Sequence, residues 1–210
     1  TKLPIKVSNS QIEIDGGYEG IETLALIEAK NSISDDFLIR QLYYPYRLWS
    51  NKVSKKVKPI FMTYSNDIFS FYEYDFKELE NYNSLVLVKQ KNYIIDHEDI
   101  ALGDILSILE KVDIIKEPKI PFPQADNFKR VINLCELLLN DDMKKEDIVS
   151  KYDFDPRQAD YYTNAGIYLG LINKKSNSQL MYSLSSKGKK IIRQKHRDRQ
   201  LSLAKLILEH

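Results

Sequence analysis

The chain has 210 residues, 43% hydrophobic and 29% charged, with a formal net charge of +1. That composition excludes a disordered chain and predicts a packed core, and the length suits one large domain or two small ones. Charge is unevenly spread. Residues 1–120 carry 15 Lys+Arg against 19 Asp+Glu, net −4, and residues 121–210 carry 16 against 11, net +5. A basic C-terminal half points to a polyanionic partner and an acidic half suits a cation site, although unequal halves also occur without either. Cys135 is the single cysteine. It excludes an internal disulfide and a Cys/His zinc spacing and fits a small core residue in a reducing, cytoplasmic protein. No signal peptide and no membrane-spanning apolar run is seen, so no membrane partner is expected.

Leu3–Val7 reads as an edge strand or lead-in, and Ser8–Ser10 as a turn. Gln11–Asp15 then alternates apolar and polar or acidic residues, Gly16-Gly17 signals a turn, and Leu24–Ala29 is an apolar run of strand length. Strand side chains alternate faces, so Glu13 and Asp15 share one side, as do Glu28 and Lys30. If the two strands are neighbours, one rim of the sheet collects carboxylates and an ammonium. Hard oxygen ligands of that kind hold a Mg²⁺-like ion through one or two carboxylates, leaving room for phosphate and water. A lysine beside them can orient or deprotonate a water and stabilise charge on phosphorus.

Asp15, followed thirteen residues on by Glu28-Ala29-Lys30, resembles the D…(D/E)-x-K signature of the PD-(D/E)XK nuclease superfamily, above all its restriction endonucleases. Ile14 stands where that family usually has proline. The resemblance implies Asp15, Glu28 and Lys30 as catalytic residues. It implies Asp15, Glu28 and the Ala29 carbonyl as ligands of Mg²⁺, with Glu13 and Gln41 in support. It further implies double-stranded DNA as substrate and a homodimer, since cutting both strands calls for two active sites. Such enzymes usually carry a helix, often with one more acidic ligand, ahead of the first catalytic strand. None is visible, so an upstream segment is expected. The plainer alternative is a surface hairpin with solvated charges.

Further on, Ser34 is a candidate N-cap with Asp35 and Asp36 in the first turn of a helix through Phe37, Leu38 and Leu42, which Pro45 should kink or end. Its aromatics read as a core helix over the sheet. The resemblance adds that Arg40 and Gln41 would lie beside the site. The lysines at 52, 55, 56 and 58 suggest a solvated loop or a phosphate contact. Pro59–Tyr64, Asp67–Phe76, Ser84–Lys89 and Tyr93–Ile95 read as strands, and Asp99–Val112 as a helix. The sum is an α/β (α+β) mixed central sheet flanked by helices. His97-Glu98 begins an HExxH pattern, but position 101 is Ala and the zinc motif is rejected. Pro118, Pro121 and Pro123 mark a stiff connection, dividing the chain into 1–118 and 119–210.

The second module is helical. Asn127–Asn140 places Phe128, Val131, Ile132, Cys135, Leu138 and Leu139 on one face, and Lys144–Tyr152 is a short helix. Asp155, Pro156 and Gln158 form a capping box with a proline start for a helix to Leu169. Leu171–Asn173 and Leu180–Leu184 read as strands around a polar tip. Three helices and a hairpin look like a small winged helix-turn-helix domain. That resemblance places Arg157, Gln158, Tyr161 and Asn164 toward the major groove, and Lys174 and Lys175 at a wing tip on phosphate. Lys187–Arg199 holds seven basic residues against one acid, a solvated face or a phosphate-binding one. Leu201–Ile207 either packs back on the body or pairs with a second subunit. Two other classes stay open: a winged-helix regulator with a non-catalytic N-terminal domain, and a protein-interaction module. No glycine-rich phosphate loop or nucleophile elbow supports a small-molecule enzyme.

Overall fold

The structure, a computed structural model, describes residues 11–31, 39–95, 98–152, 155–176 and 179–210. Among them are seven α-helices and two sheets, an α+β arrangement. Two compact units divide the chain: Thr1–Lys30, Phe37–Thr63 and Ser70–Asn92 in the first, and Asn31–Asp36, Tyr64–Phe69 and Tyr93–His210 in the second. The units interleave along the chain, and their last change falls between Asn92 and Tyr93. The helix Leu102–Leu109 (α2) belongs with the C-terminal unit because Arg197 bonds its Asp104 carboxylate at 2.5 Å and the Asp99 carbonyl at 3.2 Å.

The first sheet runs β1 (Gly16–Glu19), β2 (Thr23–Lys30), β3 (Lys56–Ser65), β4 (Ile68–Phe76) and β5 (Leu85–Ile94), in that spatial order, with the β3–β4 turn (Tyr64–Phe69) and the end of β5 counted in the second unit. β1 pairs antiparallel with β2, and β2 pairs parallel with β3, so the sheet is mixed. The first hairpin turns at Gly20–Glu22, where the Gly20 N–H meets the Thr23 carbonyl at 2.7 Å. Gly16 and Gly17 lie inside β1 and take no positive φ, so they do not form the expected turn. Residues 11–14 have no regular structure, and Asp15 precedes the strand instead of ending one.

The helix α1 (Ile39–Ser50) joins β2 to β3 and runs through Pro45 without ending there. The proline removes one backbone donor, but its ring is buried and lines a narrow apolar crevice with Ile14, Leu26 and Leu42. The predicted start at Ser34 lies outside the described residues. Tyr43 anchors the helix, stacking edge-on with Phe76 at 5.2 Å and donating its hydroxyl to the Leu79 carbonyl at 3.0 Å. The lysine-rich segment is shorter as a loop than expected, since Lys56 and Lys58 already belong to β3. Lys55 pairs with Glu19 at 2.6 Å and Lys58 with Glu73 at 3.0 Å. The two predicted strands after residue 84 are one, β5.

In the second unit, α3 (Phe128–Asn140) is covered almost all round, with Arg130 and Asn133 buried among its apolar residues. Its one-sided pattern in sequence understates that burial. A two-residue strand, β6 (Met143–Lys144), precedes α4 (Lys145–Tyr152) and α5 (Pro156–Tyr168). The Asp155 carboxylate caps α5 by accepting the Arg157 N–H at 2.9 Å. α5 closes in a Schellman motif: Gly170 sits at φ +69°, its N–H meets the Ile167 carbonyl at 2.9 Å, and the Leu171 N–H meets that of Gly166 at 2.8 Å. Then β7 (Ile172–Ser176) and β8 (Leu180–Leu184) pair antiparallel, with β6 on the far side of β8. The helices α6 (Ser186–Ile192) and α7 (His196–Leu208) follow. α7 packs back through Leu203 and Leu206, both in the core with Cys135.

Candidate active site

β2 pairs Leu26 with Pro59 and Glu28 with Phe61, and alternation puts Leu26, Glu28 and Lys30 on the face that α1 covers. Leu26 is buried. Toward the end of β2 the helix begins, and polar groups replace the apolar contact. Asp15 lies one step beyond the Gly16–Ile27 pair, which sets it opposite Glu28. Its N–H meets the Ile27 carbonyl at 3.0 Å. The strand pairing stops there, and the Asp15 carboxylate takes over by accepting the Ala29 N–H at 2.7 Å.

Glu28 Oε1 accepts a hydrogen bond from Gln41 Nε2 at 2.7 Å and lies 3.7 Å from Lys30 Nζ. Burial, and after it the negative charge of Asp15, push the Glu28 carboxyl above its ordinary range, with Lys30 pulling the other way. Gln41 Oε1 is buried with no hydrogen-bond partner among the described residues. Asp15, Glu28, Gln41, Glu13 and Arg40 line one crevice of about 340 Å³. Lys30 is not on that lining and joins the group through Glu28. Glu13 is exposed and bonded by Gln11 at 2.8 Å. Tyr44, missed in the sequence, also lines the crevice and is 54% exposed. Its spacing of three from Gln41 is the helical signal that pairs them.

The chemistry of this mouth is a hard-oxygen donor set beside an ammonium. Among the described residues no group of three or more His, Cys, Asp or Glu is placed to hold a metal ion. The crevice is lined by three carboxylates, those of Glu13, Asp15 and Glu28.

The C-terminal candidates are arranged differently. Arg157, Gln158 and Tyr161 are exposed on α5, and Asn164 is half-buried. Lys174 and Lys175 are exposed but belong to β7, opposite Tyr182 and Met181, instead of sitting at the hairpin tip. The basic run of residues 187–199 is not a uniform surface. Arg199 is buried and bonds Asp67 at 3.1 Å and Glu136 at 3.2 Å, and Lys187 pairs with Glu209 at 3.7 Å. Those partners are remote in sequence, so the run looks freer in the primary structure than it is.

Two family models match parts of the chain. Residues 1–94 match one described as Domain of unknown function (DUF6997), and residues 130–210 match another, Domain of unknown function (DUF7226). No curated protein and no solved structure matches the chain. No helix among the described residues is long and apolar enough to cross a membrane.

Proposed function

We propose that this chain is a Mg²⁺-dependent endodeoxyribonuclease, similar to type II restriction enzymes of the PD-(D/E)XK superfamily. The observation that carries this reading is the convergence of Asp15, Glu28 and Lys30. The Asp15 carboxylate holds the Ala29 N–H while its charge raises the neighbouring Glu28 carboxyl, and Lys30 Nζ stands 3.7 Å from that same carboxyl. Two facing carboxylates that repel one another are stabilised by a divalent cation between them.

The donor set fits magnesium, which binds through one or two carboxylates and fills its other positions with phosphate oxygens and water. Asp15, Glu28 and the Ala29 carbonyl would hold it, and when bound it would supply Lewis-acid stabilisation of charge on a phosphodiester. Lys30 orients the attacking water and places positive charge beside the phosphate. Gln41 fixes the Glu28 carboxylate through its amide N–H. Glu13 and Arg40 flank the mouth, where Arg40 can meet the DNA backbone.

The second module reads as a winged helix-turn-helix. Its support is the element order α3, β6, α4, α5, then the β7–β8 hairpin with β6 beside β8. In that reading α5 is the recognition helix, Arg157 and Gln158 reach base edges, Tyr161 and Asn164 follow on the same face, and Lys174 and Lys175 contact phosphate. A homodimer would supply the two active sites needed to cut both strands.

The test is incubation of varied supercoiled plasmids with and without Mg²⁺, for wild type and Lys30→Ala. Discrete metal-dependent fragments, slowed about a hundredfold or more in the variant, are expected from the loss of one charge-stabilising group. DNA left intact by the wild type across diverse templates, yet retarded on gels, would replace this reading with a DNA-binding regulator.

A further inference from the structure

A second cavity, of about 360 Å³, lies wholly within the second unit and shares no residue with the mouth at Asp15. Its lining combines two chemistries. Tyr64 and Phe69 form an aromatic wall, their ring centroids 4.5 Å apart and tilted by 38°. The same lining carries Arg193, Lys195 and His196, at the junction of α6 and α7. The Arg193 side chain makes no ion pair among the described residues and is exposed.

The acid in the lining, Asp67, is already engaged. It accepts the Tyr64 hydroxyl at 3.0 Å and is paired with buried Arg199 at 3.1 Å. His196 Nδ1 meets the Asn66 carbonyl at 2.8 Å. A carbonyl only accepts, so Nδ1 carries the hydrogen and Nε2 is the nitrogen left for another partner.

We infer that this cavity binds a nucleotide: its phosphate on Arg193 and Lys195, and its base on the Tyr64–Phe69 wall. Each part answers a separate requirement. Phosphate oxygens need charge-assisted donors, and a base needs a flat aromatic surface. The volume lies in the range of small-molecule sites. The inference is independent of the nuclease reading, because none of these residues takes part in it.

The experiment is a fluorescence-anisotropy titration of the full chain with a ribose-labelled fluorescent adenosine monophosphate. Displacement is then followed with unlabelled AMP, GMP, CMP and UMP, with inorganic phosphate, and with a short thymidine oligonucleotide. Saturable binding is expected, weakened about tenfold or more in Arg193→Ala/Lys195→Ala, as befits the loss of charge-assisted contacts. Phe69→Leu should weaken nucleotides while sparing whatever affinity inorganic phosphate has. The two charged positions are exposed, and circular dichroism checks that the variants fold. Displacement by the oligonucleotide at lower concentration than any mononucleotide upholds the site and assigns its nucleotide to a nucleic-acid strand. No saturable binding at millimolar nucleotide, equal binding by the double variant, or displacement by phosphate as effective as by nucleotides overturns the inference.

Discussion

Glu28 shows how a single carboxyl reports on its surroundings. Its folded-state affinity for a proton is raised, first by burial and then by Asp15. For an acid raised in this way, the folded state holds more protons than the unfolded state between the two titration points. Stability therefore falls as pH rises through that window, and the cost stays in full above it. Glu28→Gln removes the cost. We expect its thermal midpoint in metal-free buffer to exceed that of the wild type at pH 8, with the gap closing as pH drops through the carboxylate range. A gap independent of pH would show that Glu28 is not raised. The same variant should lose metal-dependent cleavage, the trade expected where stability is given up at a working site. The pairing of Glu28 with Lys30 was legible because strand alternation is a strict period-2 signal that puts both on one face. Tyr44 was not, because the aromatics around Pro45 read equally well as core.

At the scale of elements, the close approaches of glycine decide packing in the second unit. A Cβ on Gly188 would stand 2.4 Å from the Leu171 carbonyl oxygen and 2.8 Å from a Leu184 methyl. Backbone cannot yield as a side-chain tip does, so Gly188→Ala should cost about 3 kcal/mol, the upper end for overpacking. Gly103, early in α2, has nothing within 4 Å of such a Cβ. Gly103→Ala should instead stabilise by roughly 0.5 kcal/mol through helix propensity and reduced unfolded-state freedom. Urea unfolding of both variants checks the pair, and similar effects of one sign would contradict the packing described. Long periodic helices such as α3 and α5 were readable from sequence, as was the Asp155–Pro156 start. The first turn was misplaced because a Gly-Gly pair also suits a strand at the end of a sheet, while the real turn contains Ile21, which is 95% exposed and gives no turn signal. β6 has two residues, too few for any period to appear. The turn at Asn66-Asp67, with φ of 54° and 60°, has the signs of a type I′ hairpin, and its role in orienting Arg199, Gln200 and His196 depends on contacts that no local pattern encodes.

For the whole molecule, the division after Asn92 lies beside the end of the first family match at residue 94, and the second match begins at residue 130. The prolines at 118, 121 and 123 fall between the two matches. The charge asymmetry was also legible, although ion pairs at Arg197 and Arg199 leave less of it for a polyanion. In the proposed DNA complex, Lys174 and Lys175 each neutralise a phosphate. Lys174→Ala/Lys175→Ala should then lower the slope of log K against log salt by about 1.8, from roughly 0.9 per contact on duplex DNA. An unchanged slope would remove β7 from the interface.

The central claim is that Asp15 and Glu28 share one divalent cation. Electron paramagnetic resonance of Mn²⁺, titrated into the full chain without DNA, measures this directly. Bound Mn²⁺ displaced by Mg²⁺ is expected, with affinity reduced at least tenfold, roughly 1.4 kcal/mol, in both Asp15→Asn and Glu28→Gln. Mn²⁺ binding indifferent to both substitutions, or no binding at millimolar metal, would contradict it.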